Sequence, residues 1–267
     1  MGSAIMRRVQ RYRDFTPICR ALRGEIIEYY RAHGQAIDDE AGLRTLDTNS
    51  TLAPQRAELL LGLIGSDSIE GLDVADLGCG FGAISLYFAN LGARVTGLDP
   101  NQDRIEVATK VARSLGLGAS FRRGWIEETP LADAAFDLVV LNNSLCYVTE
   151  RSDRSRALCH ALRISRRGGK LVVRNPTLGS PVDPFTGLPL VHQLPSALAE
   201  PVLRLARRGG TRSKVRLISG AAARRELRRA GFTQVRLERG LAERKPGRYQ
   251  HLTGHRPAAP AGPPETA

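Results

Sequence analysis

Cysteine is scarce and scattered in this chain of 267 residues: Cys19, Cys79, Cys146 and Cys159 are the four it has, and no two have the short spacing of a metal knuckle. That excludes a disulfide framework and predicts reduced thiols in a cytoplasmic protein. The histidines and acids also lack ligand spacing, so no metal centre is expected. No apolar run approaches the ~20 residues that cross a bilayer, so no transmembrane segment is expected. The start, Met1-Gly2-Ser3-Ala4-Ile5-Met6-Arg7-Arg8, lacks the apolar core of a secretory signal. Position six is Met6, where a myristoylation start carries Ser or Thr. Lysine is nearly missing: Lys110, Lys170, Lys214 and Lys245 are the only four among 39 Lys and Arg residues.

What is present is ordinary for a globular chain: 42% hydrophobic and 25% charged residues, with length for one large domain plus additions or two small ones. The net charge of +12 raises the question of an acidic partner. The arginines are dispersed, and with abundant Ala, Gly and Pro they fit a GC-rich coding bias. The nearest clusters are Arg7-Arg8-Arg11-Arg13, Arg204-Arg207-Arg208-Arg212 and Arg224-Arg225-Arg228-Arg229. A basic face at helical spacing is more often a solvated surface than a docking site. Nucleic acid is therefore the weaker expectation, and an acidic substrate or a membrane surface the stronger. The oligomeric state is open between monomer and homodimer.

The chemistry concentrates at Asp76-Leu77-Gly78-Cys79-Gly80-Phe81-Gly82. An apolar run, Leu72 to Ala75, precedes it, and a helical pattern, Ala83 to Leu91, follows. Strand, glycine turn and helix in that order form the nucleotide-binding corner of a doubly wound sheet. A second apolar run, Arg94 to Leu98, ends in Asp99, roughly twenty residues past the glycines, where an acid can hold a ribose diol. The alternative for Asp99 is a strand-end acid capping the helix that starts near Pro100-Asn101. A dinucleotide spaces its glycines G-x-G-x-x-G and rests a pyrophosphate on the helix N-terminus, where an acid is unwelcome. Here the spacing is Gly78-x-Gly80-x-Gly82 with Asp76 just before it. A ligand with cationic groups and no phosphate, such as S-adenosylmethionine, tolerates that acid.

The D-x-G-x-G-x-G pattern with its downstream acid resembles the class I S-adenosylmethionine-dependent methyltransferases. Gly124 to Leu131 looks like that family's adenine loop, Phe136 to Asn142 like its fourth strand, and Arg167 to Val173 like its glycine turn and fifth strand. The resemblance covers about Leu72 to Asn175, with a weaker match from Ser219 to Arg256. It implies an α/β, doubly wound, mostly parallel seven-stranded sheet of Rossmann-like type, and S-adenosylmethionine as cofactor. It assigns the cofactor to Asp76, Gly78, Cys79, Gly80, Gly82, Asp99, Pro100, Trp125, Ile126, Glu127 and Asn142. Trp125 departs from the family, which often has an acceptor side chain there. An indole can stack on a base but cannot accept from its amine. Glu127 is the candidate acceptor, and Trp125 is either a base-stacking or a core aromatic.

Asn142-Asn143-Ser144-Leu145-Cys146-Tyr147 should face the transferred methyl, and it is not the N-P-P-Y signature of base-amine methylases. Substrate contacts are expected from Asn143, Tyr147, Tyr29, Tyr30 and His192. His192 and Tyr147 are the catalytic candidates, because histidine is the usual base near neutral pH. The alternative for His192 is a structural histidine of the insertion.

The chain divides into an N-terminal helical cover (1–53), a methyltransferase domain (54–256) with a lid or substrate insertion (176–216), and a Pro/Ala-rich disordered tail (257–267). Helices are expected over 7–33, from Thr51 to Gly65 with Thr51 as cap, and over 83–91, 101–115, 153–165, 196–207 and 219–230. Strands are expected over 72–77, 94–99, 119–123, 136–141, 169–174, 232–237 and 249–255. Residues 35–50 read as irregular. The expected activity is methyl transfer to oxygen or nitrogen of a small-molecule acceptor: a sugar, a natural-product intermediate or a lipid precursor. The alternatives are an RNA or protein methyltransferase using the basic surface, and a non-catalytic S-adenosylmethionine-binding module.

Overall fold

The computed structural model describes residues 14–38, 40–65, 68–183, 185–206, 215–238 and 249–258. Its seven strands, numbered in chain order as β1 (Asp73–Leu77), β2 (Arg94–Asp99), β3 (Ala119–Arg123), β4 (Phe136–Asn142), β5 (Ser165–Pro176), β6 (Thr233–Glu238) and β7 (Tyr249–His255), lie in the order β3-β2-β1-β4-β5-β7-β6. The chain forms two compact units, residues 1–125 and 126–267.

The first unit holds helices α1 (Thr16–Ala32), α2 (Glu40–Asn49) and α3 (Ala53–Ile64), then β1 (Asp73–Leu77), α4 (Ala83–Asn90), β2 (Arg94–Asp99), α5 (Gln102–Ser114) and β3 (Ala119–Arg123). β1 pairs in parallel with β2, and β2 with β3. Val74 to Leu77 are all buried, as expected of a strand covered on both faces. α4 is buried along Ala83 to Ala89, so it reads as apolar all round rather than as a stripe. α5 is amphipathic: Ile105, Ala108, Val111 and Ala112 are buried at helical spacing. Its N-cap is Asn101, whose Oδ1 accepts from the Arg104 N–H at 3.0 Å. Asp103 in its first turn and Arg113 in its last complement the helix dipole.

The second unit holds β4 (Phe136–Asn142), α6 (Arg151–Ile164), β5 (Ser165–Pro176), α7 (Ser196–Leu205), α8 (Gly220–Arg229), β6 (Thr233–Glu238) and β7 (Tyr249–His255). β5 pairs in parallel with β4, and antiparallel pairing joins β7 to β5 and β6. The insertion leaves and rejoins at one place: Thr177 bridges Ile218, and the Leu178 N–H donates to the Ile218 carbonyl at 3.2 Å. Between those ends it builds a small core of its own from Val191, Ala199 and Leu203, flanked by Leu188 and Leu194.

The structure corrects the sequence reading in several places. Residues 40–49 form helix α2, not an irregular stretch. Its apolar signal is thin, with Leu46 buried but Leu43 46% exposed, and its C-terminal end is held through the Ser50 carbonyl, which accepts from the Cys19 thiol at 3.2 Å. Thr51 does not cap α3: Leu52 occupies the N-cap, with no side-chain bond. β5 runs four residues longer at its start, because Ser165 pairs with Phe136 before the glycine turn and Lys170 resumes pairing with Leu138 after it. The turn is thus a bulge inside the strand, with Gly168 at φ 74°. α7 ends at Leu205, two residues early. Expectations for residues 7–13, the Arg7 to Arg13 cluster, Arg207 to Arg212 and the tail from 259 lie outside the described residues.

One packing test follows from the first unit. A Cβ on Gly97 would sit 2.5 Å from Phe121 Cδ1 and 2.9 Å from Cys79 Sγ. Gly97→Ala is expected to destabilise by about 1–3 kcal/mol through overpacking, read as a fall in the denaturant midpoint. An unchanged midpoint would show that β2 and the glycine turn are looser than these distances.

Candidate functional site

The turn after β1 is built on three glycines in the left-handed region, Gly78 at φ 81°, Gly80 at 57° and Gly82 at 75°. Two serve different needs. At Gly82 a Cβ would meet Ala108 Cβ at 2.8 Å, so the residue is required for packing. At Gly80 a Cβ would meet nothing within 4 Å, so that backbone faces open space.

Four amides of this turn are already committed. Gly78 and Cys79 both donate to the Leu98 carbonyl, at 2.7 and 3.0 Å, and Gly82 donates to the Cys79 carbonyl at 3.0 Å. Gly80 donates to Asp99 Oδ2 at 2.9 Å. A pyrophosphate site needs such N–H groups free, and these four are spent internally. Asp99 Oδ1 accepts from the Asn101 N–H at 3.0 Å, so the carboxylate joins the glycine turn to the start of α5 with one bond per oxygen. Each oxygen keeps a further lone pair for a hydroxyl donor. Both sequence readings of Asp99 are therefore compatible: it orders the helix start and retains acceptor capacity.

Asp76 is 2% exposed, and its Oδ2 accepts from Ser85 Oγ at 2.6 Å. Burial pushes its pKa up to about 6, against the lowering effect of Ser85, and the Asp99 charge adds to the rise. Burial and the same two acids raise the Cys79 thiol well above its usual range, so it is not a nucleophile. Two buried acids and four spent amides make a corner that repels phosphate and suits a ligand presenting an ammonium and hydroxyl groups. S-adenosylmethionine has that character. Ser85 was not singled out in the sequence. The signal was one hydroxyl in the otherwise apolar run Ala83-Ile84-Ser85-Leu86.

The N-terminal helix reaches the same turn. The Tyr29 ring meets Phe81 edge-on at 5.1 Å and lies 4.3 Å from the His33 ring. His33 Nε2 is 3.1 Å from Asp103 Oδ2, and the Arg104 guanidinium stands 5.3 Å from the Phe81 centroid. The Tyr29 carbonyl and the Asp103 carboxylate both raise the pKa of His33. Tyr30 is half-buried and lies 5.6 Å from Tyr29. Pro100 is half-buried beside Asp99. Trp125 is 55% exposed, which removes the core-aromatic reading.

In the second unit, Ile126 is buried and Glu127 half-buried on a short helical turn. At the end of β4, Asn142 Oδ1 and Ser144 Oγ are buried with no hydrogen-bond partner among the described residues. Such atoms cost about 1–3 kcal/mol each unless something satisfies them. Asn143 takes a left-handed φ of 59°, which asparagine tolerates. Its amide donates to the Arg174 carbonyl at 2.7 Å, and its Oδ1 accepts from Arg174 at 3.1 Å. Tyr147 is 56% exposed and meets the Phe185 ring at 6.2 Å. His192 is built inward instead: its side chain is 4% exposed, Nε2 is 3.2 Å from the Leu178 carbonyl, and Nδ1 is 3.6 Å from Asp183. A ring nitrogen can meet a carbonyl only as a donor, so Nε2–H is occupied there. That burial fits the structural alternative, while Nδ1 has no hydrogen-bond partner among the described residues.

A doubly wound sheet with a phosphate-refusing glycine corner defines a nucleoside-binding α/β protein. Residues 75–173 match the family model described as a methyltransferase domain. The ubiquinone biosynthesis O-methyltransferase of Azorhizobium caulinodans is 30% identical over 214 residues, 74% of this chain and 79% of that protein. The enzyme of the same description from Methylobacterium sp. (strain 4-46) is 39% identical over 100 residues, 38% of this chain and 40% of the relative. That match spans about two fifths of the relative's length. A crystal structure from Thermotoga maritima, described as an S-adenosylmethionine-dependent methyltransferase and possible histamine N-methyltransferase, shares the fold. It superposes with a TM-score of 0.53 at 21% identity, covering 77% of this chain and 89% of that one. The chain belongs to the class I S-adenosylmethionine-dependent methyltransferases.

The raised pKa of Asp76 yields a signed prediction. The folded state binds a proton there that the unfolded state releases from 3.8 upward, so this group's contribution to stability falls as pH rises toward 6. Above that window the buried charge costs about 3 kcal/mol. Asp76→Asn keeps an acceptor for Ser85 and should raise the thermal midpoint of the ligand-free protein at pH 8. The same change should weaken S-adenosylmethionine binding about tenfold or more and flatten its rise between pH 5 and 7. Calorimetry showing unchanged affinity would remove Asp76 from the cofactor site.

Proposed function

We propose that the protein transfers a methyl group from S-adenosylmethionine to an oxygen atom of a small-molecule acceptor. The observation that carries the reading is the committed glycine corner: spent amides, buried Asp76 and an Asp99 carboxylate with acceptor capacity left. Support for oxygen and for a small acceptor comes from the relatives, which are described as ubiquinone biosynthesis O-methyltransferases.

When bound, S-adenosylmethionine supplies a methyl group made electrophilic by its sulfonium. The protein's part is placement. Asp99 accepts the ribose hydroxyls, Asp76 balances the ammonium, and the bare face of Gly80 lets the ligand lie against backbone. In the second unit, the buried Asn142 Oδ1 is an acceptor without a partner among the described residues, and the family resemblance would give Ile126 and Glu127 to the adenine. Tyr147 and Phe185 offer ring surface to the acceptor. Alignment and exclusion of water can supply most of the acceleration for an in-line displacement. An oxygen acceptor must lose its proton, which passes to water, and His192, buried and tied to Leu178 through Nε2, is given no part in taking it. We assign His192 to holding the insertion in shape.

Asp99→Ala is expected to weaken S-adenosylmethionine binding about tenfold or more, because the hydroxyl acceptor and the bond to Gly80 are lost together. His192→Gln is expected to keep turnover while lowering the thermal midpoint; abolished turnover at an unchanged midpoint would reinstate it as the base. For the reaction itself, the protein is incubated with methyl-labelled S-adenosylmethionine and cell extract fractionated into small molecules, RNA and protein. Label in an alkali-stable ether or an ester of the small-molecule fraction is expected. Label confined to RNA or protein would overturn the acceptor class, and absence of cofactor binding would overturn the whole reading.

A further inference from the structure

The two ends of helix α1 are held differently. Ile18, Leu22 and Ile26 are buried at helical spacing and anchor its N-terminal part. From Ile27 to Ala32 no residue is buried. A segment with so few buried contacts opens locally with little free energy. Ring and ion contacts hold this last turn instead. Tyr29 meets Phe81 of the glycine turn at 5.1 Å, and the Arg104 guanidinium of α5 stands 5.3 Å from the same ring.

His33, the C-cap of α1, joins the two helices that enclose Phe81. Its Nδ1 lies 2.7 Å from the Tyr29 carbonyl, and its Nε2 lies 3.1 Å from Asp103 Oδ2. A carbonyl and an ionised carboxylate only accept, so the ring satisfies both only when each nitrogen carries a proton. A neutral imidazole has one N–H, and its other nitrogen would turn a lone pair on an acceptor. The imidazolium also places positive charge at the C-terminal carbonyls of α1, where the helix dipole favours it. The charge acting on the ring is that of Asp103. On α1, Glu28 and Arg31 pair with each other; on α5, Arg104 is turned to Phe81 and Lys110 to Glu25. We propose that protonated His33 latches the last turn of α1 to the start of α5, over the glycine turn. Its deprotonation releases that turn, while the buried residues keep the rest of the helix in place.

The Tyr29 carbonyl, and after it Asp103, raise the pKa of His33 above its ordinary 6.5. The latch is therefore complete below about 6.5 and is lost as pH rises through the higher folded value. The two side chains are 37 and 53% exposed, so the pair is weak, is screened by salt and acts locally. It rests on contacts between α1 and α5 alone, and neither the cofactor nor the methyl acceptor enters its test.

The test is hydrogen exchange of the full chain, read by mass spectrometry at about pH 5 and about pH 8 and corrected for the intrinsic rate. A peptide covering residues 27–34 should lose protection about two- to five-fold at the higher pH. A peptide covering residues 105–112, on the buried face of α5, should not follow it. His33→Gln should remove the difference and leave low protection at both pH values. Asp103→Asn should shrink it and lower the midpoint of the His33 ring signal in an NMR titration. Equal protection of the wild type at both pH values would overturn the proposal, as would an unchanged difference in His33→Gln. Parallel loss of protection in both peptides would mean that the whole unit loosens with pH, and would overturn the latch as well.

Discussion

The first unit depends on the carboxylate of Asp99. One oxygen holds the Gly80 N–H and the other holds the Asn101 N–H. It thereby connects the glycine turn after β1 to the residue that caps α5. Left-handed glycines make that turn possible, but their freedom also makes it costly to order. A buried acid with two backbone donors supplies the order. Because Gly78 and Cys79 spend their amides on Leu98, the turn is also tied to the neighbouring strand. Its shape is fixed by hydrogen bonds that the chain makes to itself.

That same economy limits what the corner can accept. Donors spent on the protein cannot cradle phosphate, and Asp76 is held in a place where its charge is disfavoured. A site of this kind stores unfavourable electrostatics that a cationic ligand relieves. Its stability is therefore linked to pH, with the protonated acid serving the fold.

The second unit has its own organising contact. Arg154, 3% exposed, pairs with Glu226 of α8 at 3.1 Å and donates to the Val148 and Thr149 carbonyls at 3.2 and 2.9 Å. Those carbonyls belong to the loop after β4, next to Tyr147. A buried guanidinium with a paired charge and two carbonyl acceptors fixes a loop that lacks regular structure. Arg174 acts similarly: it stands 3.7 Å from the Tyr249 ring while holding Asn143 Oδ1. Neither arginine stood out in a chain so rich in them.

Local signals carried much of this protein into view. Strand, glycine turn and helix were readable because glycines at alternate positions and an apolar run constrain a few adjacent residues, and α5 showed its buried face by period alone. By itself the sequence determined the order of the strands, the glycine turn after β1 and the family. It did not reveal α2, whose helicity rests on packing against α1 rather than on an apolar stripe of its own. It could not tell whether Trp125 was core or surface, nor that His192 turns inward to Leu178 and Asp183, nor that α7 leaves Leu198, Val202 and Leu205 exposed. Those are matters of which side chains the rest of the chain covers. Periodicity reports that a face is apolar, and only the tertiary structure decides whether anything packs on it.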